Sequence, residues 1–366
     1  MKKLILIFAV WFIAINIFAV LALNRFNLKG DTAYTWIDPS QYSQKQGWNP
    51  VDIHAQWDSA FYLDIAKNGY SFKSSGALSN IVFFPLYPFL IKAVSLLTLG
   101  HTILAGWIVS TIFLFLALLV LYKLIREFHP EIDPLCPIFF LLIFPTAFFL
   151  NSIYTESLFL FLSITTFYFC FKKEFIFAGI FGLLAALTRI TGIILFIPLV
   201  WEYLNAYGFA KLLNKKIISI FLIPIGTLAF FLYHKIRFGD FFLFFRVESR
   251  WGRSFRFNPE HFQFLTRPQI VNFGLDLIFV LFALIVCYFI FKKLRVSYGL
   301  YTATTLAVAL STGTFMSIGR YILVLFPIYI LMAKPKNNLF KQSYALVSVL
   351  LLALYTILFV NGYWAG

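Results

Sequence analysis

A helix needs about 20 apolar residues to cross a bilayer, and runs of that order recur along this chain from residue 4 to residue 362. The runs at 1–23, 102–122, 135–150, 157–171, 216–236, 270–291, 297–312, 318–333 and 343–362 each read as a spanning helix. Residues 175–204 form a longer apolar stretch broken by Thr188-Arg189-Ile190-Thr191-Gly192. That break predicts two short or broken helices. Only residues 24–80 hold enough polar sequence to make a sizeable loop. One membrane domain over residues 1–366 follows, with 24–101 as its first outer segment.

Basic clusters assign sides, because Lys and Arg favour the cytoplasmic face of a membrane. They fall at Lys2-Lys3, Lys123/Arg126, Lys172-Lys173, Lys211/Lys215-Lys216, Lys292-Lys293/Arg295 and Lys334/Lys336/Lys341. If all are inside, each stretch between them crosses an even number of times. A full crossing by 81–99 would put Lys123 outside, and that run carries Pro85, Pro88, Lys92 and a terminal Gly100. It is expected to lie in the outer interface instead. The count comes to about eleven crossings, N-terminus inside, with outer-face juxtamembrane helices.

Composition agrees with this pattern: the chain is 61% hydrophobic and 12% charged, against roughly a quarter charged in soluble domains. The net charge of +15 lies in short clusters between apolar runs, not in one stripe on a soluble module, which argues against a nucleic-acid partner. Cys136, Cys170 and Cys287 all sit in apolar runs, so neither a disulfide framework nor a CxxC metal site is available. The first apolar run exceeds a signal-peptide core of about 7–15 residues and reads as an uncleaved span.

Charged residues without an orienting role gather on the expected outer side. Asp52, His54, Trp57, Asp58 and Asp64 lie in VDIHAQWDSAFYLDIAKNGY. A carboxylate there suits removal of a proton from an acceptor hydroxyl, although Asp58-Ser59 also has the pattern of a helix N-cap. His54 and Asp58, four positions apart, admit a divalent metal together with Asp52, or belong to an ordinary solvated loop; no other cofactor is expected. Glu156, in FFLNSIYTESLFLFLS, is costly next to hydrocarbon unless it faces a cavity or a cation, or simply begins a helix after Thr155. Arg189 and Arg320 abut apolar sequence at outer turns, where a guanidinium fork would meet a lipid phosphate or snorkel to headgroups. Arg246, Arg250, Trp251, Arg253 and Arg256 break the positive-inside trend in FRVESRWGRSFRF, which suits an anionic ligand or an amphipathic interface helix.

Five segments in order, QWDSAFYLDIAKNGY with FFPLYPFLI, FPTAFFLNSIYTESLF, AALTRITGIILFIPL, RFGDFFLFFRVESRWGR and SIGRYILVLFPIYILMA, resemble GPI mannosyltransferase II and its bacterial and archaeal relatives. That family lies within the GT-C superfamily of polyprenyl-phosphate-sugar-dependent glycosyltransferases. The resemblance implies an all-α polytopic GT-C-like fold, a polyprenyl-phosphate sugar donor, and an active site on the outer side of the plasma membrane. It also implies an acidic residue early in the first outer loop as catalytic base, here Asp58. Hexose transfer, of mannose in the first instance, to a glycan, glycolipid or protein hydroxyl is the expected reaction, with inversion. Trp57, Glu156, Arg189, Arg250, Trp251, Arg253 and Arg320 are the expected substrate contacts. The rival is a transporter or lipid-linked sugar flippase, which would carry repeat symmetry and ionisable groups in mid-span; here the candidates cluster at outer ends.

Overall fold

The computed structural model describes residues 1–26, 28, 50–72, 78–208, 215–251 and 267–365. Among them there is no β-strand. The helices, in chain order, are α1 (Lys2–Arg25), α2 (Ser59–Asn68), α3 (Leu86–Ser95), α4 (Thr102–Phe128), α5 (Leu135–Leu142), α6 (Glu156–Phe171), α7 (Phe175–Ala186) and α8 (Phe196–Tyr207). They continue with α9 (Lys215–Ile218), α10 (Leu222–Phe238), α11 (Leu243–Glu248), α12 (Arg267–Lys293), α13 (Val296–Leu310), α14 (Ile318–Leu323), α15 (Pro327–Ala333) and α16 (Asn338–Val360).

The chain is an all-α, multi-pass membrane protein. Among the described residues six helices are long and apolar enough to cross a bilayer: Lys2–Arg25, Thr102–Phe128, Ile190–Tyr207, Ser219–Phe238, Gln269–Lys293 and Asn338–Val360. α1, α12 and α16 turn large apolar side chains outward, among them Leu6, Ile13, Leu281, Ile285, Leu346 and Leu350. Water would not tolerate such continuous apolar surface, whereas lipid matches it. α3 has ten residues, about 15 Å of helix, half of the roughly 30 Å hydrocarbon core, so it does not cross.

Two of the expected spans are broken. The 135–150 run is α5 followed by a 3-10 turn over Ala147–Asn151, with Pro145 between them removing a backbone donor. The 318–333 run divides into α14 and α15, with Pro327 at the first position of α15, where its missing N–H costs least. Every residue from Ser317 to Ala333 is buried. This broken pair is therefore wrapped by protein, which is the condition for irregular backbone at membrane depth.

α6 is the central helix, buried on most sides and packed between α4 and α7. α7 in turn lies against α10. Their approach depends on small residues: a Cβ on Gly179 would stand 2.0 Å from the Ser219 carbonyl oxygen, a packing mode common between membrane helices.

α4 runs the length of the bundle and defines its two ends. Near its Thr102 end, Trp107 stacks on the His54 ring, and Tyr87 donates to the Gly106 carbonyl oxygen. At the Phe128 end Glu127 pairs with Lys172, while Lys334 approaches both Glu131 and the Lys293 carbonyl. Asp58, Glu156, Arg189 and Arg320 collect toward the first end, and Lys172, Lys293, Arg295 and Lys334 toward the other.

Candidate active site

The first loop is docked onto the turn that precedes α6. The Ile153 N–H donates to the His54 carbonyl (3.0 Å), and the Tyr154 hydroxyl donates to the Gln56 carbonyl (3.0 Å) while accepting from the Asp58 N–H (3.2 Å). Trp57 is held at φ 55°, a left-handed conformation that is sterically costly for a bulky residue and tends to persist where surroundings enforce it. The kink aims Asp58. Although Asp58 sits at the N-cap of α2, its side chain makes no capping hydrogen bond; it points to Arg320 instead.

Arg320 is the hub. Its Nη1 donates to Asp58 Oδ2 (2.8 Å) and its Nε donates to Glu156 Oε1 (2.8 Å). Arg189 Nη1 donates to the same Glu156 oxygen (2.9 Å). Glu156 is 0% exposed and Arg320 5%, so each charge depends on the others: separating one from its partners would leave a buried charge uncompensated. The Arg320 guanidinium lies over the rings of Tyr154 (4.6 Å) and Phe149 (5.0 Å), and its helix is tied down by Thr146 Oγ1 donating to the Gly319 carbonyl (3.0 Å). Ser317, just before α14, has φ 69°. Arg189 sits at the break between α7 and the 3-10 turn Ile190–Leu195, in extended backbone, and that turn is anchored where the Leu86 N–H meets the Leu187 carbonyl.

Three of the four charged groups border an open cavity, with Glu156 buried behind them. Asp58, Arg189 and Arg320 line it, as do Trp57 and Trp364; Phe83, Phe84, Ile190 and Phe244 form an apolar side. Burial, and next the Glu156 charge, push the Tyr62 phenol above its ordinary range. Burial likewise raises Tyr154. Both therefore face the cluster as neutral hydroxyls. Among the described residues Glu156 Oε2, Thr155 Oγ1 and Ser317 Oγ are buried without hydrogen-bond partners.

Of the residues expected from sequence, Asp58, Glu156, Arg189 and Arg320 come together, and Trp57 joins them on the wall. Trp57 also donates its indole N–H to the Tyr363 carbonyl (3.1 Å). Arg250 does not line the cavity; its guanidinium lies over Phe72 (5.6 Å). The Trp251 side chain, Arg253 and Arg256 lie outside the described residues. Arg246 pairs with Asp240. The His54 ring is stacked on Trp107, with burial driving its pKa down to about 3, and Asp58 is engaged by Arg320. Among the described residues no three His, Cys, Asp or Glu side chains gather around a common point. His54 and Asp58 are thus each engaged elsewhere, and no chemical step is derived through a metal.

Sequence reasoning passed over Tyr154, Phe149 and Trp364. Tyr154 lies two positions from Glu156, in the same polar turn, which was a usable signal. Phe149 and Trp364 carried none, since aromatic residues make up 20% of the chain.

The fold and site define a helical membrane bundle with a buried acid–guanidinium cluster at the wall of a cavity. The chain belongs to the mannosyltransferase (PIG-V) family, whose model matches residues 2–243. It is accordingly a glycosyltransferase that works on a lipid-linked sugar donor and an acceptor in a membrane. No curated protein matches the chain. Arg320 and Trp364 lie beyond the matched segment, so the later helices complete a site begun by the earlier ones.

Proposed function

We propose that the protein transfers a mannosyl residue, with inversion, from a polyprenyl-phosphate mannose to an acceptor hydroxyl, at the outer face of the plasma membrane. The observation that carries this reading is Arg320 joining Asp58 to Glu156 at the wall of a half-apolar cavity. The polyprenyl chain would lie against Phe83, Phe84, Ile190 and Phe244. Asp58 accepts the acceptor's proton as the acceptor oxygen bonds to the anomeric carbon. The bond from that carbon to the phosphate oxygen breaks with its electron pair, leaving polyprenyl phosphate. Arg189 spends one guanidinium nitrogen on Glu156, which leaves further donors to meet the charge building on the phosphate, the term that usually dominates such catalysis. Glu156 holds both guanidinium groups in place. The outer side is favoured because the basic clusters collect at the opposite end of the bundle.

Incubation of the purified full chain with a panel of polyprenyl-phosphate sugars, scoring release of polyprenyl phosphate with and without chelator, tests donor and metal together. Asp58→Asn should lower turnover by about 10²–10⁴, the usual contribution of a positioned base, while leaving expression and donor binding intact. Turnover near the wild-type rate in that variant would sink the assignment.

A further inference from the structure

A second, smaller cavity shares Trp364 with the first. It is lined by Asn272, Asp276 and Phe279 of α12 together with Thr146, Gly319 and Tyr355, and holds about 330 Å³ of empty space including its mouth. Trp364 borders both cavities. Its position there is fixed by Trp57, whose ring meets it edge-on at 5.5 Å, and by the Arg320 guanidinium at 5.8 Å from its ring centre. Asn272 and Asp276 are four positions apart on α12 and so share one face of that helix. Among the described residues neither side chain has a hydrogen-bond or ion-pair partner. A carboxylate in an apolar helix without a partner is costly and marks a functional position by default.

We infer that this cavity is the acceptor subsite of the transferase, in which Asp276 and Asn272 bind the hydroxyls of a glycoside acceptor. The inference rests on the proposed transfer reaction, and it seats the donor in the larger cavity and the acceptor's sugar in the smaller one, with the reacting hydroxyl reaching past Trp364, which the two cavities share, to Asp58. Sugar hydroxyls both donate and accept. Asp276 supplies acceptors, and the Asn272 amide supplies one acceptor and two donors. Phe279, Tyr355 and Trp364 supply ring faces against which the apolar side of a pyranose packs. A polyprenyl tail finds its apolar lining on the Phe83–Phe84 side, so the polar approach to Asp58 is left to the acceptor.

The test uses the full chain in lipid nanodiscs, free of glycoside detergent, with octyl α-mannoside as probe and an octyl ether lacking the sugar as control. Asp276→Cys, and separately Asn272→Cys, are made in a background whose three native cysteines are replaced, and maleimide labelling is followed without donor. Slower labelling with octyl mannoside but not with the ether supports the subsite. Equal protection by both, or by neither, overturns it. This readout needs no turnover, so it stands apart from the fate of the proposed reaction, which Asp58→Asn decides. In turnover with octyl mannoside as acceptor, Asp276→Asn should raise the acceptor KM about 10- to 100-fold, the loss of a charged hydrogen bond, and leave the donor KM in place. A parallel rise in both constants would indicate a merely structural role and overturn the inference.

Discussion

Removing the Glu156 carboxylate would strand two guanidinium groups at a buried position, because Arg189 and Arg320 bond the same oxygen. Breaking a buried ion pair from one side costs about 3–5 kcal/mol. Glu156→Gln should therefore lower the thermal unfolding midpoint in detergent well below that of Asp58→Asn, since in the latter Arg320 keeps Glu156. Scanning fluorimetry of the two variants side by side checks the ranking, and equal midpoints would contradict it. Arg320→Lys should not restore function, because an ammonium lacks the fork that reaches both carboxylates. His54 adds a pH dependence of known sign. Its pKa falls from 6.5 to about 3 on burial, so the folded state holds fewer protons, and the stability this provides is present above pH 6.5 and is lost as pH falls toward 3. His54→Phe should flatten the acid-side decline of the unfolding midpoint, while an unchanged slope would count against a neutral buried ring. Charged site residues were legible in sequence because a carboxylate or guanidinium amid apolar residues has few bland explanations. Asp58 was less so: as a residue before a helix it matched an N-cap equally well, and only its missing cap hydrogen bond separates the readings.

At the scale of elements, the break at Thr188–Gly192 could be foreseen, since polar residues in a thirty-residue apolar stretch have to be accommodated somewhere. The divisions at Pro145 and Pro327 were harder to see. Hydropathy alone carries through both, and it is the enclosing protein that lets the broken backbone persist. The close pairing of α7 with the 3-10 turn and helix over Ser219–Phe238 was not legible at all, because Gly179 and Gly182 resemble any other small residues until their partners are known. A methyl group on Gly179 would meet the Ser219 carbonyl at 2.0 Å, whereas one on Gly274 of α12 would meet nothing within 4 Å. Gly179→Ala should then destabilise by about 1–3 kcal/mol through overpacking. Gly274→Ala should be neutral or stabilise by up to about 1 kcal/mol, since Ala has the higher helix propensity. Midpoints of urea or thermal unfolding for the two variants give the comparison, and a harmless Gly179→Ala would refute the tight crossing.

For the whole molecule, the distribution of Lys and Arg was more informative than the count of apolar runs, because orientation is a property of ends. The structure collects Lys172, Lys334 and Arg295 at the Phe128 end of α4 and the acid–guanidinium cluster at the Thr102 end, and α4, at 27 residues, spans about 40 Å, enough for the whole bilayer. The Trp364 wall could not have been anticipated, since it depends on the segment after α16 folding back to Trp57, a contact across 306 positions. If the basic end faces the cytoplasm, a membrane-impermeant maleimide added to intact cells should label Lys67→Cys, on the exposed end of α2. Arg126→Cys, exposed near the opposite end of α4, should label only after the membrane is made permeable. Both positions lie outside the ion network, so neither substitution should disturb the site, and in each case the native cysteines are first replaced. The reverse pattern would place Asp58 in the cytoplasm and require a donor presented from that side, while leaving the geometry of the ion network untouched. Labelling thus separates the orientation of the enzyme, which rests on the basic clusters at one end, from its chemistry, which rests on Arg189 and Arg320 at the other.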